Sequence, residues 1–388
     1  MTHALIKAYG LLDDMDRLRV APATEEDLEL AHDPEYIRFL RDLTPADYNA
    51  NAETQREAAE KYKLGEVWNE LTHCGEAGRF CYVNDIVVAI KALLHHGRRF
   101  IRRVLYLDID AHHGDGVETA FVEDSRVLTV LFHQFGGDFF PRTGAAVDVG
   151  ELPAGDDGVC PTLINVPLQA GTRDGRYHQL FGAIVDRVMA VFEPDAVVMQ
   201  CGADSLAGDR LAGLGLSVRG HAKCVSIVKG YGLPLLLLGG GGYTINHVAS
   251  CWCYETAVAI GKEIPDDIPQ HGYQDYYKSQ GYKLHYHKED SSSSSRNRDM
   301  RSKDKITMDK VMNHLDLLSS QLMPKPRPSE QLDEEPPRAT PHADGDDALV
   351  DRSPWVEDAV RGCIGAAVRR CSTSSSPTGA ETSQASLS

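Results

Sequence analysis

The 388-residue sequence predicts a single α/β domain, in which a mostly parallel sheet is flanked by helices, followed by a disordered C-terminal tail. Three observations predict this fold: short apolar runs typical of buried strands, helix-like stretches between them, and a change of composition after about residue 288. Hydrophobic residues make up 42% of the chain, enough to fill a sizeable core. We therefore place the domain at residues 1–288 and the tail at residues 289–388.

The predicted strands are four apolar segments, at residues 103–110, 127–132, 196–200 and 234–238. Strands that are buried on both faces of a parallel sheet typically form such near-continuous apolar runs. The predicted helices lie between or before them, at residues 82–94, 177–192 and 221–230. Alternation of strand and helix indicates a parallel sheet covered on both faces.

The predicted tail contains five consecutive serines at 291–295, a Pro-rich acidic segment at 330–358 and a Ser/Thr-rich end. Such composition buries too little apolar area to offset the entropy lost on ordering. One segment, residues 307–322, could form a helix capped by Thr307. It spaces four apolar side chains roughly along one helical face: Met308, Met312, Leu315 and Leu322. This helix is expected to dock on the domain or on a partner.

Composition excludes several classes of protein. The first twenty residues lack the apolar block of a secretory signal, and the longest apolar run, 233–238, is far shorter than the roughly 18 residues that span a bilayer.

Nine cysteines without a CxxC pair indicate reduced thiols. Cys251 and Cys253 are expected in the core, with metal binding as the alternative. A net charge of -17 disfavours direct nucleic-acid binding and favours a basic partner, such as a lysine-rich tail.

The main chemical signal is LDIDAHHGDG at residues 107–116, where an apolar strand ends in Asp108, Asp110 and His112. Side chains two positions apart on a strand share a face, so these three are expected to point the same way. Burying three polar groups together is costly unless a cation or hydrogen bonds compensate them. A metal ion is the simplest remedy, and a metal-free hydrogen-bond network is the alternative.

A further carboxylate is predicted to join them. The strand at 196–200 runs into CGADS, which places Asp204 just past its carboxyl end, where ligands collect in open α/β sheets. We therefore predict Asp110, His112 and Asp204 as ligands of a divalent metal. Two carboxylates and one imidazole leave a coordination position open, which is typical of a hydrolytic site and not of a structural one.

The segment GGGGYT at residues 239–244 follows the fourth predicted strand. Its glycines permit unusual backbone conformations and close approach, and Tyr243 would stand at the same rim. A phenol there can donate a hydrogen bond to an oxyanion, although a packing role is the alternative. A phosphate loop is discounted, because no Gly-Lys-Ser/Thr sequence follows.

Several motifs together resemble class I histone deacetylases: FCYVNDI, DIDAHHGDGVE, FFPRTG, QCGADSLAGDRL, GHAKCV and LGGGGYTINHVA. The resemblance covers roughly residues 2–284. It implies the arginase/deacetylase fold and zinc-dependent hydrolysis of acetyl-lysine. It also implies acetylated histone tails as substrates, corepressor proteins as partners and a nuclear location, with a cytoplasmic pool also compatible. Neither a membrane nor a specific nucleic-acid sequence is an expected partner.

The resemblance carries over position by position. Asp110, His112 and Asp204 match the zinc ligands of the family, and Tyr243 matches the tyrosine that polarises the acetyl carbonyl. This agrees with the interpretation drawn from the residues themselves.

Further matches concern the surroundings of the metal. Phe80 and Phe140 match the two aromatic residues that line the acetyl-lysine channel. Asp108 and Asp115 match carboxylates that orient a tandem histidine pair, and Arg210 resembles a residue at the mouth that meets inositol phosphate and the corepressor.

The tandem histidines themselves, the general base and its companion, have no counterpart. In the family a glycine-rich turn and two adjacent histidines precede FCYVNDI, but here residues 61–80 run through without them. His73 lacks the preceding glycines, and His95 and His96 follow the predicted helix, where we expect them at the surface. The sequence therefore identifies no general base.

The sequence departs from the family pattern at other places besides the tandem histidines. The acidic rim residue and the usual first strand have no counterpart, and Arg79 and Arg142 stand where the family usually has glycine. An incomplete gene model or a skipped exon explains the gap more simply than the evolution of a working enzyme does. Two alternatives stay open: a catalytically impaired scaffold of a corepressor complex, and a deacetylase of small acetylated amines.

Overall fold

The computed structural model describes residues 1–18, 22–43, 61–62, 82–97, 100–145, 162–286 and 296–322. Phe80, His73, Arg79 and the tail beyond residue 322 lie outside these ranges, so the predictions made for them stay predictions. Within the described ranges, every helix is too short or too polar to cross a membrane.

The strands form one five-stranded, wholly parallel sheet with the order β3-β2-β1-β4-β5. Its strands are β1 (Val104–Asp108), β2 (Val127–Gln134), β3 (Leu163–Leu168), β4 (Ala196–Gln200) and β5 (Leu235–Leu238). The α/β fold class and all four predicted strands are confirmed. The structure adds β3, and it ends β1 at Asp108, so that Asp110 and His112 lie in the following loop and not on the strand.

Nine α-helices lie in the described ranges. They are α1 (Thr2–Ala8), α2 (Glu25–Glu29), α3 (Pro34–Asp42), α4 (Asp85–His96), α5 (Asp115–Phe121), α6 (Asp174–Phe192), α7 (Val218–Lys229), α8 (Ile245–Ile260) and α9 (Arg296–Gln321). The three helices predicted within the domain correspond to α4, α6 and α7. Two of them begin at the side-chain caps that favour helix starts: Asn84 accepts from the Val87 N–H, and Ser217 accepts from the Gly220 N–H.

Both faces of the sheet are buried, as the apolar runs predict. One apolar cluster joins the sheet to α6, α7, α8 and α9, and a second joins the opposite face to α4 and α5. The edge strand β5 is the exception, because no other described strand pairs with its outer side. Its leucines are partly exposed, with Leu236 at 38%, so the prediction of a fully buried strand was wrong for β5.

Helix α9 begins at Arg296, so the prediction that Thr307 caps it was wrong: Thr307 lies inside the helix. Helix α9 packs on α6 and β3 and covers one end of the core. Val311, Leu315 and Leu318 are fully buried, and each buried side chain of this size contributes about 1.5–3 kcal/mol. Ion pairs join Arg176 to Asp304, and Arg187 to Asp316. The predicted apolar residues Met308, Met312 and Leu322 are partly buried against the same cluster, so this helix docks on the domain itself.

Candidate metal centre

Three predicted ligands meet at the carboxyl edge of the sheet. Asp110 and His112 lie in the loop after β1, and Asp204 lies in a short 3-10 helix, Ala203–Ser205, after the neighbouring strand β4. One ligand atom from each of the three residues lies within 4.8 Å of those of the other two. The structure thus brings together side chains that are 92 to 94 residues apart in the sequence.

Hydrogen bonds orient all three side chains. The Nδ1 of His112 lies 2.7 Å from Oδ2 of Asp204 and 3.3 Å from Oδ1 of Asp110. Oδ1 of Asp204 accepts the N–H of Ala111 at 2.7 Å. Oδ2 of Asp110 accepts the N–H of Gly241 at 2.7 Å. The ligand set is therefore held by backbone donors from two loops.

The charges at this site are poorly balanced by the protein alone. Burial and the negative charge of Asp110 raise the pKa of Asp204. Burial lowers the pKa of His112, but hydrogen bonds and charges from Asp110 and Asp204 outweigh it and raise that pKa to about 10. A divalent cation would replace the proton on His112 and neutralise both carboxylates. Two carboxylate oxygens and one imidazole nitrogen are donors that suit zinc, so the residues fit the implied metal.

Two glycines make room for this arrangement. A Cβ atom on Gly202 would lie 1.9 Å from Oδ2 of Asp110, and one on Gly241 would lie 2.3 Å from Oδ2 of Asp204. Both distances are impossible for carbon against oxygen. In the glycine-rich segment, Gly241 thus lets the backbone approach the carboxylate of Asp204, whereas the predicted approach of a bound ligand stays a prediction.

Aromatic rings surround the imidazole of His112. The ring of Phe139 stacks on it with centroids 5.0 Å apart, whereas the rings of Phe140 and Tyr243 lie at 6.3 Å and 6.1 Å and are steeply inclined. The N–H of Tyr243 donates to Oδ2 of Asp209 at 2.8 Å, which fixes the backbone at this position. The sequence analysis assigned no role in the site to Phe139 or Asp209. The sequence signals for them were the paired phenylalanines of FFPRTG and the aspartate of GDRL.

The two other predicted carboxylates are buried near the ligands. Asp108 accepts hydrogen bonds from the Tyr106 hydroxyl at 2.6 Å and from the N–H of Asp110 at 2.9 Å, and its pKa is raised by burial and by the charge of Asp110. It therefore braces the ligand loop. Asp115 is buried at the start of α5.

His95 and His96 form the end of α4 and are exposed. This confirms the prediction that they are surface residues. They are therefore not part of the metal centre.

Arg142 shows why a glycine is usual at its position. Its backbone has a φ of 76°, in the left-handed region, and its exposed guanidinium pairs with Asp138 at 3.2 Å. A non-glycine residue in this conformation carries strain of the order of 1 kcal/mol or more, and an exposed ion pair offsets little of it.

We therefore expect Arg142→Gly to stabilise the protein by about 1 kcal/mol, which urea unfolding can measure. Arg142→Ala is the matched control, because it removes the same ion pair but keeps a Cβ atom at positive φ. Equal stability of the two variants would contradict this explanation.

Known proteins that are similar to this chain all carry one family name. A model of the Histone deacetylase domain matches residues 71–259. Histone deacetylase 1 of Oryza sativa subsp. japonica is 41% identical over 412 residues, covering 94% of this chain and 75% of the relative. Histone deacetylase 19 of Arabidopsis thaliana is 41% identical over 400 residues, covering 92% of this chain and 74% of the relative. Human Histone deacetylase 1 is 41% identical over 319 residues, covering 74% of this chain and 64% of the relative.

The alignment with the rice protein spans 412 residues, more than the 388 of this chain, while it covers only 94% of the chain. It therefore contains gaps within this chain. Identity of 41% across nearly the whole chain and three quarters of the relative is far beyond a local motif match. The chain therefore belongs to the class I histone deacetylase family.

Proposed function

We propose that this chain is a zinc-dependent deacetylase of acetyl-lysine side chains on histone tails. The observation that carries the proposal is the convergence of Asp110, His112 and Asp204, with the rings of Tyr243 and Phe139 beside the imidazole. The relatives are named histone deacetylases, which supports the substrate class. The net charge of -17 supports a lysine-rich substrate through long-range attraction.

When bound, zinc would polarise the acetyl carbonyl and lower the pKa of a water molecule. Asp110 and Asp204 would each offer an oxygen, and His112 a nitrogen once it has lost its proton. The phenol of Tyr243 would donate a hydrogen bond to the oxyanion as it develops. Phe139 and Phe140 would supply apolar walls for the methylene stem of the lysine. Asp209, which accepts the N–H of Tyr243, would hold in place the backbone that carries the phenol.

The proposed setting is chromatin repression in the nucleus, in complexes with corepressor proteins. Arg210, which is exposed beside Asp209 on the loop that supports Tyr243, is the residue we propose to contact such a partner or its inositol phosphate. These statements rest on the family resemblance together with the position of that loop.

The test measures acetate released from an acetyl-lysine peptide by the zinc-loaded chain and by Tyr243→Phe. We expect Tyr243→Phe to lower turnover by about 10²–10³-fold, the usual effect of losing one oxyanion donor, and to leave zinc affinity unchanged. Asp204→Ala supplies the background rate. A wild-type chain that binds no zinc, or a Tyr243→Phe variant that is as fast as wild type, would overturn the proposal.

A second candidate is a scaffold that keeps the fold and its partners without turnover. The absence of the tandem histidines from residues 61–80 favours it. It predicts stoichiometric zinc with acetate release no faster than the Asp204→Ala background. The remaining alternative, deacetylation of small acetylated amines, predicts release from an acetylated polyamine and none from the peptide.

A further inference from the structure

A buried polar pair lies behind the metal centre, between α7 and α8. His221 and Glu255 are 0% and 2% exposed, and Nδ1 of His221 lies 2.5 Å from Oε1 of Glu255. The other ring nitrogen, Nε2, lies 2.9 Å from the carbonyl oxygen of Gly202. Since a carbonyl only accepts hydrogen bonds, Nε2 must carry a proton, and the imidazole links Glu255 to Gly202.

Gly202 lies against one ligand carboxylate and shortly before the other in the sequence. A side chain there would overlap Asp110, and Asp204 follows two residues later. Its N–H donates to Oε1 of Gln200 at 2.7 Å, and Nε2 of the same Gln200 donates to Oδ2 of Asp110 at 3.2 Å. Any shift of Gly202 would therefore move the start of the Asp204 turn and the hydrogen-bond partner of Asp110 together.

The same pair could be mistaken for a second metal site, because Cys251 lies beside it and the three offer ligand atoms within 4.8 Å. The contacts argue against that. Both ring nitrogens of His221 are already engaged, by Glu255 and by Gly202. Burial also raises the pKa of the Cys251 thiol to about 11, so a metal at this place would have to displace a tightly held proton.

We propose that His221 is a positioning residue for the metal centre: it holds the Gly202 carbonyl, and so sets the geometry of Asp204 and Asp110, while Glu255 orients its ring. This inference rests on the proposed zinc site and deepens it. A buried polar pair contributes little to stability compared with apolar residues of the same volume, so its contact with Gly202 is the better reason for it. Partners behind metal ligands typically account for about 10–100-fold in metal affinity.

The test compares two amides at one position. In His221→Gln the amide nitrogen occupies roughly the place of Nε2 and can donate to Gly202, whereas in His221→Asn it occupies roughly the place of Nδ1 and cannot reach that carbonyl. Zinc affinity is measured by competition with a chromophoric chelator, and site geometry by the visible spectrum of the Co²⁺-loaded protein. Val225→Ala is the control, because Val225 is a buried residue of the same helix and its truncation lowers stability without removing a contact to Gly202.

We expect His221→Asn to bind zinc at least about tenfold more weakly and to alter the Co²⁺ spectrum, with His221→Gln and Val225→Ala close to wild type in both. Wild-type affinity in His221→Asn, or equal losses in both amide variants, would overturn the inference. Should His221→Asn fail to fold, His221→Gln decides alone: a wild-type Co²⁺ spectrum supports the inference and an altered one overturns it. A wild-type chain that binds no zinc would instead overturn the proposed function.

Discussion

Replacing Asp110 with alanine is expected to lower zinc affinity by more than about 100-fold, beyond the usual effect of residues that only support a ligand. The substitution removes one of three ligands and also the acceptor of the Gly241 and Gln200 hydrogen bonds, so the two loops lose their common anchor. His112 and Asp204 alone would hold the ion with two contacts. Zinc content after dialysis against a weak chelator measures the effect.

Asp174→Ala is the matched control for this prediction. Asp174 is a partly buried aspartate, whose carboxylate accepts the N–H and the hydroxyl of Ser217 and takes no part in the ligand cluster. Its loss should lower stability and leave zinc affinity as in wild type. Stoichiometric zinc retained in Asp110→Ala would show that the ligand assignment is wrong.

Turnover by this chain is expected to be about 10²–10⁴-fold slower than turnover by the rice relative, because that is the usual contribution of a general base. His95 and His96 are exposed at the end of α4, and His73 lies outside the described residues. The measurement is the acetate released from one acetyl-lysine peptide by both proteins, each loaded with one equivalent of zinc. Equal rates would mean that another group in this chain serves as base.

Transcript sequencing across residues 63–80 in the source organism complements that comparison. Transcripts that restore a glycine-rich segment with tandem histidines would identify this chain as a shortened record of an active enzyme. If only the present junction is found, the scaffold gains support. Grafting the rice segment into the junction then tests the same point in the protein, since it should restore the rate if the missing base is the sole defect.

The sheet was predictable where strands are continuous apolar runs. β1, β2 and β4 are buried along nearly their whole length, and their sequences show it. β3 was missed because LINVPL places a buried asparagine and a proline inside a short strand. Asn165 is accommodated there because its amide donates to Glu118, a contact between distant residues that no local pattern announces.

The sequence indicated which side chains would meet at the metal centre, but not which backbone groups would hold them. Asp110, His112 and Asp204 follow strand ends, so their residue types and positions indicate a shared edge. The N–H groups of Ala111 and Gly241 that hold them carry no sequence signature, because every residue except proline has one. The need for glycine at position 202 comes from the carboxylate of Asp110, which a Cβ atom there would approach to 1.9 Å, and this contact exists only in the folded chain.

The docking of α9 determines where this protein can be shortened for crystallisation or assay. A chain cut at the predicted boundary, residue 288, would lose Val311, Leu315 and Leu318 and uncover the apolar side of α6 that they contact. Contiguous apolar surface of this kind promotes aggregation, so poor yield from such a version would say nothing about the metal site. Shortened versions should therefore extend at least through Leu322, which still packs against the core.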